Sequence, residues 1–117
     1  MVYQRHQLET IVLGTLLNDS GRDGFFDGSR NVLREELFSD RRNAFIFGLI
    51  ARMKADGERE TTPYDILKYA KEKKIRYGDT ARFCTYMCEL SRNYAFDGFK
   101  KYVRQLVEIY VKEKRYG

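Results

Sequence analysis

Apolar residues recur at spacings of three and four along most of this chain, a pattern that is typical of helices covering a shared core. The first helix is predicted to run from about Gln4 to Asn18. Its apolar face consists of Leu8, Ile11, Val12 and Leu16, with Leu13 and Leu17 beside them. Gly14 inside this helix costs about 1 kcal/mol relative to alanine. Because glycine has no side chain, we expect another helix to approach the backbone closely at this point.

Glycines interrupt the helical pattern over residues 19–30, and we expect a loop there. Two adjacent phenylalanines in this segment, Phe25 and Phe26, are too apolar for a free linker and are expected to fix the loop to the core. A short helix is predicted over residues 31–38. Its core-facing residues are expected to be Val32, Leu33 and Leu37.

The third helix is predicted to begin with a cap at Ser39 or Asp40 and to continue to about Ala55. One line of apolar residues runs along it and is expected to face the core, with a second line beside it: Phe45, Leu49 and Met53, then Ile46 and Ile50. Gly57 can adopt the left-handed conformation that ends a helix.

The start of the fourth helix is the clearest local signal in the sequence. Thr62 supplies a hydroxyl at the N-cap, Pro63 takes the first helical position, and Asp65 places an acid in the first turn. The fifth helix is predicted to begin at Asp79 or Thr80 in the same way.

The last helical stretch, Phe99–Tyr116, carries more apolar surface than one small core is expected to cover. Six of its residues are therefore predicted to form an oligomer interface, most simply a dimer: Phe99, Tyr102, Val103, Leu106, Ile109 and Tyr110. We expect a head of about residues 1–93 and a dimerisation helix of about residues 97–116 within a single domain. In the alternative, the N-terminal segment that includes Val2 and Tyr3 covers the extra apolar residues.

These elements predict an all-α fold, an orthogonal bundle of about six helices with a long C-terminal helix. No segment alternates apolar and polar residues as a half-buried strand does, and the single proline stands at a helix start. A length of 117 residues fits one domain. Because the sequence has no apolar run of about 18 residues and a polar N-terminus, we expect no membrane span, no leader and a cytoplasmic location.

The net charge is +5, and the basic excess is concentrated between Lys68 and Arg82, where only Glu72 and Asp79 oppose it. Four residues of this segment are possible nucleic-acid contacts: Lys71, Lys73, Lys74 and Arg76. A basic strip can follow a phosphate backbone. We prefer to interpret it as a solvated helix face, because no aromatic platform or base-reading motif accompanies the charges in the sequence. A small basic helical nucleic-acid-binding module is the alternative function.

The sequence predicts no catalytic, cofactor or metal site. His6 is the only histidine, and nothing places a nucleophile beside it. Cys84 and Cys88 are four residues apart on one helix face, which gives poor disulfide geometry, so we expect reduced and packed thiols. The glycine-rich residues 21–24 lack the Gly-Lys-Ser/Thr ending of a phosphate-binding loop. We therefore expect this chain not to be an enzyme.

Two segments resemble the N-terminal domain of DnaB-type replicative DNA helicases. Residues 9–17 look like the opening of that domain, in which an acid precedes a Val-Leu-Gly-x-Leu-Leu run. Residues 37–47 are similar to its Phe-Tyr-x-x-x-His-x-x-Ile-Phe segment. Gly57 before the capped Thr62 helix, and residues 86–103, follow the rest of the family's order. The likeness extends over essentially the whole chain.

The sequence also departs from the family pattern. Ser39 stands where the family commonly has Tyr, Asn43 where it commonly has His, and Thr62 where it commonly has an acidic cap. The resemblance implies a domain that pairs through a helical hairpin, of which the sixth helix would be the first arm. Such pairs form a collar on a hexameric ring, and the collar binds primase and assists helicase loading. The ATPase motor would lie outside this chain, so contact with DNA would be indirect.

Overall fold

The computed structural model describes residues 3–19 and 24–116. Within them lie six α-helices: α1 (Arg5–Leu16), α2 (Phe25–Ser29), α3 (Arg41–Ala55), α4 (Pro63–Glu72), α5 (Thr80–Ser91) and α6 (Phe99–Tyr116). One 3₁₀ turn, Glu35–Leu37, lies between α2 and α3. No strand occurs in the described residues, which confirms the all-α fold class. None of the helices in these residues combines the length and the apolar character that crossing a bilayer requires.

Capping side chains begin three of the helices as the sequence predicts. Asp40, Thr62 and Asp79 each accept a hydrogen bond from a backbone N–H in the first turn of α3, α4 and α5. At α4 the Asp65 carboxylate accepts a hydrogen bond in return from the Thr62 backbone N–H, at 3.1 Å. Gly57 follows α3 with a φ of 90°, the predicted left-handed conformation. Local sequence therefore sets where these helices begin and where α3 ends.

The segment between α1 and α3 differs from its prediction. Residues 25–29 form α2 where the pattern predicts a loop, and the helix predicted over 31–38 is reduced to the 3₁₀ turn. Phe26 and Leu33 are both buried, whereas Val32, predicted to face the core, is 45% exposed. Because the chain must reach the core at two points, the backbone bends between them and one continuous helix does not form.

α1 lies at the centre of the fold, in contact with α3, α5 and α6. Four of its apolar residues are completely buried, namely Leu8, Val12, Leu13 and Leu16, whereas Ile11, predicted on the same face, is only half-buried. The backbone of α5 approaches α1 at Gly14, where an added Cβ would lie 2.7 Å from the Asn93 carbonyl oxygen. The close approach predicted at this glycine is confirmed.

α6 packs along α1 and closes the core on that side. Phe99, Val103 and Leu106 are buried in this contact, with exposed fractions of 5%, 3% and 0%. The core-facing residues of α1 and α6 belong to one apolar cluster. The predicted head of residues 1–93 and the predicted helix of residues 97–116 therefore share a core.

The N-terminal segment contributes to the cover of α6. The ring of Tyr3 meets the ring of Tyr102 edge-on, with 5.5 Å between centroids. This contact agrees with the alternative in which the N-terminus covers part of the last helix. Val2, the other residue of that alternative, lies outside the described residues.

Candidate functional site

A buried polar network joins α1 to the start of α3. Glu9 of α1 is completely buried. Its carboxylate accepts hydrogen bonds from the Ser39 hydroxyl at 2.6 Å, the Asp40 backbone N–H at 3.4 Å and the Asn43 side-chain amide at 3.3 Å. The guanidinium of Arg5, one helical turn earlier, lies 3.5 Å from the same carboxylate. These partners offset the cost of burying a charge.

The network continues to α5 and α6. Tyr86 of α5 donates a hydrogen bond from its hydroxyl to the Asn43 side-chain oxygen. A tyrosine hydroxyl is protonated at neutral pH, and burial raises the pKa of Tyr86 further above its ordinary value. Arg5 donates to the Leu37 carbonyl at 3.0 Å and pairs with Glu113 of α6. The network thus connects α1, α3, α5 and α6.

Glu9→Ala is expected to lower the free energy of unfolding by about 3 kcal/mol, because it leaves the buried Asn43 amide without this acceptor and removes one of the two carboxylates that face Arg5. Urea denaturation followed by circular dichroism measures the loss. Glu72→Ala at the exposed end of α4 is the matched control and is expected to change stability by about 0.5 kcal/mol or less. Equal stability of the two variants would contradict a structural role for the network.

The six residues predicted as an oligomer interface divide into two groups. Three lie in the core of their own subunit: Phe99, Val103 and Leu106. The other three, Tyr102, Ile109 and Tyr110, are half-buried at the borders of the contact with the core. The guanidinium of Arg5 lies 5.6 Å from the centre of the Tyr110 ring. The prediction of an oligomer interface is therefore wrong for the three buried residues, because their own subunit covers them.

α6 keeps open apolar surface on the side that faces α2. A groove runs between the two helices through two adjoining cavities of about 450 Å³ and about 260 Å³. We call it the α2–α6 groove, and its apolar lining residues include Phe25, Val32, Phe96, Val103 and Val107. Val111 lies one turn beyond Val107 on the same side of α6 and is 51% exposed. The apolar residues of α6 that its own subunit leaves exposed therefore lie on this side of the helix.

A second groove, of about 540 Å³, lies between α3 and α5. We call it the arginine–aromatic groove, after the residues that line it: Arg41, Arg42, Phe45, Arg76, Tyr77, Arg82, Phe83 and Tyr86. Phe45, which the sequence pattern places in the core, is 37% exposed here. The described lining combines cationic and aromatic side chains with no acidic one.

The predicted nucleic-acid contacts separate in the structure. Arg76 lines the arginine–aromatic groove, whereas Lys71, Lys73 and Lys74 are exposed near the end of α4 and are not among the lining residues. Phe45 of α3 lies in the same groove as Arg76 and Arg82, so the premise that no aromatic side chain accompanies the basic segment does not hold for these two arginines. The solvated-face interpretation itself stays a prediction. One feature of the sequence could have indicated this groove. An aromatic residue directly follows an arginine at residues 76–77 and again at residues 82–83.

The single histidine and one of the two cysteines are exposed to solvent. His6 is exposed on α1, and Cys88 is exposed on α5 rather than packed, while Cys84 is half-buried. Within residues 3–19 and 24–116, no three side chains of the His, Cys, Asp or Glu type meet in a metal-binding arrangement.

The chain was compared with models of protein families, with curated proteins and with solved structures. No match is found in any of the three. The likeness to DnaB-type N-terminal domains accordingly rests on the residues of the sequence.

Proposed function

We propose that this chain is a non-catalytic interaction and oligomerisation domain of a DnaB-like replicative helicase, acting in DNA replication. In this proposal it contributes to a collar and binds primase or a helicase loader. The observation that carries the proposal is the α2–α6 groove, an apolar surface left open on the helix that the resemblance assigns to pairing.

The α2–α6 groove has the composition of a protein-binding surface. Valine and phenylalanine side chains supply its apolar lining, and charged residues accompany them: Lys100, Arg104 and Glu108. Protein interfaces combine an apolar centre with a polar rim in this manner. Val32 and Phe96, both lining residues, are 45% and 43% exposed. A partner seated in the groove would cover this exposed apolar surface.

The buried network supports the resemblance to the helicase family. Glu9 belongs to one of the two similar segments, Ser39 and Asn43 belong to the other, and the three side chains meet in the fold. Asn43 stands where the family commonly has His. Its amide donates to Glu9 and accepts from Tyr86, as the two nitrogens of one neutral imidazole can. The departure from the family pattern therefore preserves a donor and an acceptor.

A second copy of this chain is the occupant that we favour for the α2–α6 groove. Val107 and Val111 continue the apolar surface along α6, the helix that the sequence predicts to pair. We therefore assign pairing to the exposed edge of α6 beside α2. The opposite side of α6, which is centred on Leu106, is buried within the subunit.

Val111→Asp is expected to weaken self-association at least about tenfold, because a carboxylate would lose water in an apolar contact. Size-exclusion chromatography with light scattering over a concentration series measures the mass. The wild-type chain is expected to approach twice its 13.9 kDa mass at high concentration, whereas the variant stays near 13.9 kDa.

Thr85→Asp is the matched control, since it introduces the same charge at an exposed position of α5 that lines neither groove. It is expected to dimerise like the wild type. A Val111→Asp chain that dimerises as well as Thr85→Asp would rule out this pairing surface. Calorimetric titration with a primase C-terminal domain tests the second part of the proposal, and the absence of binding heat would remove primase as a partner.

A further inference from the structure

The arginine–aromatic groove collects four cationic side chains around one concave surface: Arg41, Arg42, Arg76 and Arg82. Arg42 pairs with Asp40, and the two charged groups are 3.0 Å apart. Across the described part of the chain, the other three arginines take part in no ion pair. The Asp79 carboxylate accepts from the backbone N–H of Arg82 and forms no ion pair with the guanidinium of that residue. The groove thus offers three uncommitted guanidinium groups to an anion.

Aromatic rings stand beside these arginines in a continuous cluster. Tyr77 stacks on Phe83, with 4.7 Å between ring centroids and 25° between planes. Phe45 contacts Phe83 at 5.9 Å in an edge arrangement and is 37% exposed. The guanidinium of Arg42 lies 4.0 Å from the centre of the Tyr86 ring. Flat apolar surface and positive charge therefore share one groove.

We propose that the arginine–aromatic groove binds single-stranded nucleic acid, with phosphates on the arginines and a base stacked on the aromatic cluster. Every nucleotide of a single strand presents both a phosphate and a flat ring, which matches the two kinds of group in the groove. In a duplex the faces of the bases are already stacked on one another. An unpaired strand can use Phe45, whereas a duplex cannot.

The charge around the groove favours a long polyanion over a short acidic peptide. Lys71, Lys73 and Lys74 are exposed near the end of α4, shortly before Arg76 in the chain. Their position in the chain supplies further positive charge close to Arg76, which a run of consecutive phosphates can use. A peptide with carboxylates could pair with the arginines but has no repeating flat group for the aromatic cluster.

Fluorescence anisotropy with a labelled oligothymidylate tests the proposal on the full chain. Binding is expected at low salt and is expected to weaken steeply as salt is added. The double variant Arg41→Ala with Arg82→Ala is expected to bind at least about tenfold more weakly. Its plot of log affinity against log salt is expected to be shallower by about 1.4, because two phosphate contacts are lost.

Two further variants separate the groove from general charge. Arg30→Ala with Arg34→Ala removes the same charge at two exposed positions that line neither groove and is expected to change affinity less than about twofold. Phe45→Ala is expected to weaken binding at least about fivefold, through loss of stacking, while leaving the salt dependence unchanged. Phe45→Leu keeps apolar bulk without a flat ring and is expected to bind as weakly as Phe45→Ala. Circular dichroism verifies that each variant is folded.

Three results would overturn the proposal. One is the absence of oligothymidylate binding at low salt. Another is an equal loss of affinity in the Arg30/Arg34 pair and the Arg41/Arg82 pair. The third is a duplex of the same length, or a polyglutamate peptide, that binds as tightly as the single strand, since either result would make the aromatic cluster irrelevant to recognition.

Discussion

Leu106→Asp is expected to unfold this protein. Leu106 is completely buried where α6 meets the core. The substitution removes about 1.5–3 kcal/mol of apolar burial and places an unpaired carboxylate in the core, which costs several kcal/mol more. Together these terms approach or exceed the whole stability of a typical domain, about 5–15 kcal/mol. Thermal denaturation followed by circular dichroism is expected to show loss of the cooperative transition.

Val111→Asp makes the same kind of change one and a half turns along α6, at a site that is 51% exposed. We expect it to alter the stability of the monomer by about 1 kcal/mol or less. Two variants with equally cooperative transitions would show that α6 does not pack on α1 as described. The contrast also shows why Leu106→Asp cannot report on pairing, since a loss of dimer would follow from unfolding alone.

Gly14→Ala is expected to destabilise the protein by about 2–4 kcal/mol, although alanine is the better helix former by about 1 kcal/mol. An added Cβ at Gly14 would lie 2.7 Å from the Asn93 carbonyl oxygen and closer still to that of Leu90. Both obstacles are backbone atoms, so α1 and the end of α5 would have to separate. Urea denaturation measures the change in free energy.

Gly48→Ala provides the control for helix propensity. Gly48 lies in α3, and a Cβ there would meet the side-chain carboxylate of Glu35, which can rotate away. We expect this variant to be as stable as the wild type or more stable by up to about 1 kcal/mol. If Gly14→Ala were stabilised to the same extent, the close approach of α1 and α5 would be contradicted.

Features that depend on a few neighbouring residues could be predicted from the sequence. The caps at Asp40, Thr62 and Asp79 follow from short-range hydrogen bonds, and the left-handed Gly57 follows from its missing side chain. The close approach at Gly14 was also predictable, because a glycine inside an apolar helix has few other uses. Helix α2 was missed because Gly24 and Gly28 favour a loop locally, while burial of Phe26 organises the turn.

Features that depend on distant segments could not be predicted from the sequence. The apolar pattern of α6 indicates that its residues are covered, but it does not say whether α1 or another subunit covers them. For Phe99, Val103 and Leu106 the cover is the subunit itself. The arginine–aromatic groove combines α3 with the start of α5, so no single stretch of sequence displays it.

The most direct test of the pairing surface is the methyl spectrum of valine-labelled protein recorded over a range of concentrations. Pairing through the α2–α6 groove is expected to shift the methyl signals of Val32, Val107 and Val111 together as the concentration rises. Those of Val12, which is completely buried in α1, are expected to stay in place. Signals that are independent of concentration at all four valines, or that shift as much at Val12 as at Val111, would contradict pairing through the α2–α6 groove.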